Sequence, residues 1–359
     1  MGSSLKTLQI CTIGLELVPP GDHDSNGSGV LDGVTEGLEM IEDEGMRILI
    51  VGAGAIGSLF AGKLAGSGLD VTVLSRGERL EAVRAHGVEL RESTSSSVER
   101  YPVRAIPSLA PDDRYDFVLV VVQRTQIEAL LPTLAANRSP NFIFMVNTAA
   151  GYQSYVDAVG AERVMVAFPS AGGEVDGDIV VYRIGRGLVR LFQTTTVGEL
   201  VHASSDRVRV LVHMFRKSGI PTVTCGNMDD WQKTHVAVVC AIAQALYKHG
   251  GDPVSLSRNP ADIRLMVAAI QEGFAVLRCL GHRITPRKLW YLRLPGFLVA
   301  GVFSLVLRTD LAETAMARHA RRAVNEMSAL NCELMDLVEA SRMKTPAIRA
   351  LAMVVPVFD

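Results

Sequence analysis

The stretch Met46-Arg-Ile-Leu-Ile-Val51-Gly52-Ala-Gly54-Ala-Ile-Gly57-Ser58 decides how this chain is read. An apolar, β-branched run breaks at Gly52-x-Gly54-x-x-Gly57 and continues into Leu59-Phe-Ala-Gly-Lys-Leu64, whose small residues suit a helix. A strand before the glycines and a helix after them give the triplet its meaning. The first glycine permits the tight turn, the second lets backbone approach a pyrophosphate, and the third lets helix and strand pack closely. The free N–H groups of the helix start then receive phosphate oxygens. Gly52, Ala53, Gly54, Ala55, Ile56 and Gly57 are therefore expected to hold a dinucleotide.

Which dinucleotide depends on the end of the next strand, Val71-Thr-Val-Leu-Ser75, which follows the turn Gly66-Ser-Gly-Leu-Asp70. An NAD-preferring site ends this strand with Asp or Glu, hydrogen-bonded to the ribose 2′-hydroxyl. Here the sequence is Ser75-Arg76-Gly77-Glu78-Arg79. A hydroxyl followed by guanidinium groups suits a 2′-phosphate, because Arg offers planar, charge-assisted donors. Ser75 and Arg76 thus favour NADP(H). Arg79 is either a second donor or a residue solvating the helix from Glu78 to His86.

The 359 residues leave room for a nucleotide domain and a second core, and 48% hydrophobic with 6% aromatic content is ordinary for an Ala/Val/Leu-rich α/β protein. A net charge of −2 gives no electrostatic case for nucleic acid or an anionic membrane. The five cysteines, Cys11, Cys225, Cys240, Cys279 and Cys332, are scattered without a C-x-x-C pair. They suggest buried thiols in a reducing, cytoplasmic setting rather than disulfides or metal ligands. No metal site is expected.

Residues 1–45 contain Leu8 to Leu15, too short for a secretory core, and then Pro19-Pro-Gly-Asp-His-Asp-Ser-Asn-Gly-Ser-Gly29; a disordered extension is expected. The apolar run Leu294 to Leu307 falls short of the ~20 residues a membrane span needs. It is expected to be a buried helix or a subunit contact, which would make a homodimer.

Apolar runs continue at Tyr115 to Val122, Asn141 to Val146 and Arg163 to Phe168, as strands buried on both faces of a parallel sheet should. Each ends in small or polar residues, among them Asn147-Thr-Ala-Ala-Gly151, placing ligands at that edge. Ile179 to Arg183 and Gly187 to Phe192 suggest antiparallel additions, and Ile220 to Cys225 a last strand. Helical periodicity follows from Gly226 onward. The expected domains are 46–225, a Rossmann-type parallel sheet, and 226–359, all helical.

With these features in order, the chain resembles the ketopantoate reductase (2-dehydropantoate 2-reductase) family from about Met46 to Pro346. The resemblance is carried by the glycine turn, the arginine after the second strand, Asn147, Trp231-Gln232-Lys233, Glu326-Met327 with Leu330-Asn331, and Thr345-Pro346. It implies a Rossmann domain joined to a helical domain of the 6-phosphogluconate dehydrogenase C-terminal type. NADPH would reduce the ketone of a 2-keto acid between them. It also implies cofactor contacts at Asn147 and at Gln123, where family members carry a lysine.

Reduction needs a proton donor, and the resemblance assigns that role to Lys233. Desolvation in an interdomain cleft would move its pKa towards neutrality; a lysine solvated beside Asp229 and Asp230 is the plain alternative. Glu326 would orient the lysine or bind the substrate hydroxyl, unless it pairs with Arg322 one turn earlier. The family places asparagines one and two turns after the lysine, where this chain has Ala237 and Ala241 on the same helical face. Losing such partners costs ~1–3 kcal/mol per unpaired buried group. A bulkier or less polar carbonyl than ketopantoate is therefore expected, with Ala237, Ala241, Gln244 and Thr314 lining its site. His235 and His319 are expected to pack or face solvent. The alternative activity is a non-catalytic NADPH-binding sensor.

Overall fold

A computed structural model describes residues 45–184, 194–200, 205–309 and 312–354. The expected N-terminal extension and the expected strand Gly187 to Phe192 lie outside these residues. The strands are β1 (Arg47–Val51), β2 (Asp70–Leu74), β3 (Val88–Glu92), β4 (Val98–Tyr101), β5 (Arg104–Ile106), β6 (Phe117–Val120), β7 (Phe142–Phe144), β8 (Val164–Phe168), β9 (Ala171–Asp176), β10 (Ile179–Ile184), β11 (Thr195–Gly198) and β12 (Thr222–Thr224). Eight of them form one sheet in the order β12-β11-β8-β7-β6-β1-β2-β5, parallel throughout except where β11 meets β8.

Leu49 lies between Thr72 of β2 and Val118 of β6, so the glycine turn leaves the sheet where strand order reverses direction. That switch point is where open parallel sheets bind ligands. Alternate side chains serve opposite faces. Ile48 and Ile50 pack with Leu59 and Phe60 of α1 (Ala55–Gly66), while Leu49 and Val51 pack with Ile127 and Tyr155 on the other side. Both faces are covered, which is why β1 is an unbroken apolar run.

Ile179 to Arg183 is the stretch expected as an antiparallel addition. It pairs antiparallel with β9 and parallel with β3, in a separate four-stranded sheet ordered β4-β3-β10-β9. This sheet lies against α1, where a Cβ on Gly62 would come within 2.6 Å of Leu90. Short, half-exposed strands such as Val98–Tyr101 bury too little apolar surface to leave an alternating pattern in the sequence.

The last described strand ends at Thr224, and α6 (Met228–Tyr247) begins after Asn227, whose side chain accepts from the Asp230 amide at 2.9 Å. Helices α6, α8 (Pro260–Cys279) and Val324–Ser341 build a third core around Ile270, Phe274 and Leu330. Leu294 to Leu307 forms α9 (Gly296–Val306), with Val299 and Val306 buried and Phe297, Leu298 and Leu305 exposed. No single described helix is long and apolar enough to cross a membrane, and the turn Arg287–Arg293 meets α9 at 109°.

Candidate functional site

The glycine turn has the geometry a pyrophosphate needs. Gly52 sits at φ +108°, and a Cβ there would lie 2.4 Å from the Val121 carbonyl oxygen. A Cβ on Gly57 would lie 1.9 Å from the Gly52 oxygen, so only glycine lets α1 start this close to β1. At Gly54, the N-cap of α1, nothing lies within 4 Å of a Cβ, and the residue is exposed. The open side of the cradle therefore faces outward, over the free N–H groups of Ala55 and Ile56, with no acidic residue in the first turn.

Ser75 is buried and donates its amide to Ile106 at 3.1 Å, fixing the end of β2. Arg76 follows it, exposed and with no partner among the described residues. Arg79 is different: its guanidinium donates to the Ala53 carbonyl (3.3 Å), the Asp178 carbonyl (3.0 Å) and the Ser58 hydroxyl (3.3 Å). It clamps the glycine turn to the second sheet and is not free for a phosphate. Arg76 alone remains for that role.

Beyond β6 and β7 the helical region meets the sheet. Asn147, at the end of the β7 run, carries a buried Oδ1 with no hydrogen-bond partner. Gln123 is exposed, and its amide donates to the Gln126 side chain at 3.2 Å. Lys233 comes from α6 and is only 7% exposed; its ammonium donates to Asp229 one turn earlier. A Cβ on Gly151 would lie 3.8 Å from Lys233 Nζ, so the amine reaches the loop that follows Asn147. The plain alternative of a solvated lysine is thereby set aside.

Glu326 is 9% exposed and does not pair with Arg322, which binds Glu174 of β9 instead. Burial raises its carboxyl pKa, opposed by the Arg124 backbone N–H. A carboxyl that binds its proton more tightly when folded costs stability above the ordinary carboxylate range, and fully so above its folded pKa. Glu326→Gln should thus melt higher than the parent at pH 8, by roughly 2 °C or more, with the gap closing as pH falls towards 4. An equal or lower Tm at pH 8 would remove the burial argument.

The same helix carries a carboxylate that sequence reasoning missed. Glu333 takes Arg124 Nε at 2.6 Å on one oxygen. Its other oxygen accepts from Thr148 Oγ1 (3.0 Å), the Ala149 amide (2.6 Å) and the Ala150 amide (3.1 Å). Its position seven residues after Glu326, two turns along one face, was the available signal. Burial disfavours the Arg124 charge, yet Glu333 outweighs this and raises the guanidinium pKa. Trp231 and His235 stack on each other and against Phe168 of β8, a second tie between helices and sheet.

The expected substrate contacts fare unequally. Ala237 is buried and packs towards α8, where a Cβ on Gly273 would lie 3.0 Å from its methyl. Ala241 is buried in the same helical core. Gln244, on the lysine's face, is buried with an unpartnered Oε1. The Thr314 and His319 side chains lie outside the described atoms. Asp229, Asp230 and His282 lie within ligand distance of one another. They are satisfied without an ion, Asp229 by Lys233 and Asp230 by Asn227 and His282. A depression lined by Asn137, Arg138, Asn141, Glu162, Arg163 and Arg207 opens at the opposite edge of the sheet, away from these groups.

A family model described as ketopantoate reductase PanE/ApbA matches residues 48–194. The 2-dehydropantoate 2-reductase of Halobacterium salinarum is 25% identical over 313 residues, covering 86% of this chain and 97% of that protein. The one from Pyrococcus horikoshii is also 25% identical, over 55% of this chain and 62% of its own length, so the match spans less than two thirds of that relative. Among solved structures, the Methylococcus capsulatus 2-dehydropantoate 2-reductase superposes with a TM-score of 0.66 at 19% identity, over 86% of this chain and 94% of its own. A D-mandelate dehydrogenase in complex with NADH and anilino(oxo)acetate superposes with a TM-score of 0.67 at 14% identity, over 86% and 97%. At such identities the structures speak for the fold: a mostly parallel α/β domain followed by a helical region. The glycine cradle, the Trp231-x-Lys233 helix start, the family model matched over residues 48–194 and the relative that is similar over 86% of the chain all support the ketopantoate reductase family.

Proposed function

We propose that the protein is an NADPH-dependent carbonyl reductase that converts a 2-keto acid or related ketone, other than ketopantoate, to the hydroxy compound. The observation that carries this is that Lys233 reaches the Gly151 loop after β7 while Glu326 is buried near the Arg124 amide after β6, in a sheet whose glycine turn leaves at the switch point. NADPH, when bound, supplies the hydride. Gly54 and the start of α1 would hold its pyrophosphate, Arg76 with Ser75 its 2′-phosphate, and the unpartnered Asn147 Oδ1 its nicotinamide end.

Asp229 holds the Lys233 ammonium in one orientation, and Lys233 gives a proton to the oxygen of the carbonyl as it gains negative charge. Glu326, buried and facing the Arg124 amide, positions that proton transfer. Ala241 in place of a polar residue, and Gln244 further along, fit a substrate less polar than ketopantoate. A neighbour in the fold was solved with NADH bound, so nucleotide choice is argued from Ser75 and Arg76 rather than from architecture. The presence of both Lys233 and Glu326 favours turnover over nucleotide sensing.

The test follows NADPH absorbance against a panel of 2-keto acids and simple ketones, alongside cofactor affinity. Arg76→Ala should weaken NADPH binding by roughly 10–100-fold, as loss of a charge-assisted hydrogen bond does, and leave NADH binding unchanged. Equal affinity of the parent for both nucleotides would overturn the 2′-phosphate assignment. Nucleotide binding without oxidation by any member of the panel would shift the reading to the sensor.

A further inference from the structure

We infer that Glu333 is a built-in carboxylate that fills the anion cradle of the cleft, directing the site to carbonyl compounds that carry no carboxylate of their own. The inference rests on the reading of the site as a carbonyl reductase and narrows its substrate class.

A substrate carboxylate beside a carbonyl is recognised by a guanidinium or ammonium together with convergent N–H and O–H donors. The loops after β6 and β7 contain that set, and Glu333 occupies it. One Glu333 oxygen faces Arg124 Nε and the other gathers the Thr148 hydroxyl and two consecutive amides, Ala149 and Ala150. The pair is largely shielded, with the Glu333 side chain 11% and the Arg124 side chain 19% exposed, so water screens it less than an exposed pair. The cradle is next to the reacting centre: Gly151, one residue beyond Ala150, is the residue Lys233 Nζ reaches. Lys233 is likewise held by a carboxylate of this chain, Asp229. Glu326, itself buried, adds a third acid, close to Arg124. An incoming 2-keto acid would meet cations already paired, donors already used and further acidic groups. A neutral ketone or aldehyde meets none of those penalties. This is discrimination by an element placed against the wrong ligand rather than by added affinity for the right one.

The test uses the full chain, its Glu333→Ala and isosteric Glu333→Gln variants, and oxamate as carboxylate probe beside its uncharged ethyl ester. Thermal-shift titrations are run with and without NADPH. The parent should show no saturable oxamate-dependent shift, whereas Glu333→Ala, with Arg124 and the amides unpaired, should show one, and Glu333→Gln a weaker one. The ester should act alike on all three. In turnover, the ratio of kcat/KM for methyl pyruvate over pyruvate should fall by about tenfold or more from parent to Glu333→Ala, the size expected for removing a like charge from a recognition site. A parent that binds oxamate as tightly as Glu333→Ala overturns the inference, as does an ester-to-acid ratio unchanged in both variants. Failure of the parent to bind NADPH sinks the cofactor reading instead, and leaves the oxamate titration without nucleotide to decide the role of Glu333. Glu333→Gln keeps side-chain volume, so the result stands even where the alanine variant does not fold.

Discussion

Replacing Lys233 with alanine is expected to lower kcat by roughly 10²–10⁴-fold, the range a positioned general acid contributes, while NADPH affinity stays within about twofold of the parent because the residues proposed to hold the nucleotide lie on other elements. The cause is local. Lys233 brings the ammonium of α6 to the Gly151 loop, and alanine leaves the forming oxygen with water as its proton source. Asp229 loses its partner but is partly exposed, so the fold tolerates the change. Stopped-flow measurement of NADPH oxidation with a turned-over ketone, together with NADPH fluorescence titration, checks both halves. Retained kcat would refute the role given to Lys233. A parallel loss of NADPH affinity would mean that the amine serves the nucleotide.

Gly57→Ala has the second large effect, on stability and binding together. Its methyl would sit 1.9 Å from the Gly52 carbonyl oxygen, and the obstacle is backbone, not a side chain that can swing away. Overpacking of this kind costs about 1–3 kcal/mol, and at about 2–4 °C per kcal/mol the Tm falls measurably. Shifting α1 away from β1 also moves the N–H groups proposed to cradle the pyrophosphate, so NADPH affinity is expected to fall by at least about tenfold. Gly54→Ala separates the two consequences. No atom lies within 4 Å of a Cβ there, and the residue's φ of −71° suits alanine, so the Tm holds while the nucleotide loses its approach. A Gly57→Ala protein with parental Tm and affinity would contradict the packing argument.

Much of this was legible in the sequence because it is encoded locally. The glycine turn, the unbroken apolar strands and the arginine after β2 are each determined by residues within a few positions of one another, where backbone sterics and burial on both faces leave few alternatives. The four-stranded second sheet was partly missed because β4 and β9 are short and mostly exposed, so no periodic apolar signal marks them. Arg79 lay open between two roles until the fold brought Asp178, 99 positions away, to its guanidinium. Ala237 lies on the lysine's face by periodicity, yet the approach of α8 at Gly273 decides what its methyl touches.

The candidate site divides in the same way. Sequence alone determined the strand, glycine turn and helix that open the sheet, the serine and arginine that follow β2, and the presence of a lysine and a glutamate in a family pattern. Those features follow from short-range spacing and side-chain chemistry. Only the tertiary structure showed that Lys233 is buried against Asp229, that Glu326 faces the Arg124 amide rather than Arg322, and that Glu333 closes on Thr148, Ala149 and Ala150. The last contact joins residues 184 positions apart. Such pairings depend on where the helical region meets the sheet, and no local preference of the chain specifies that meeting.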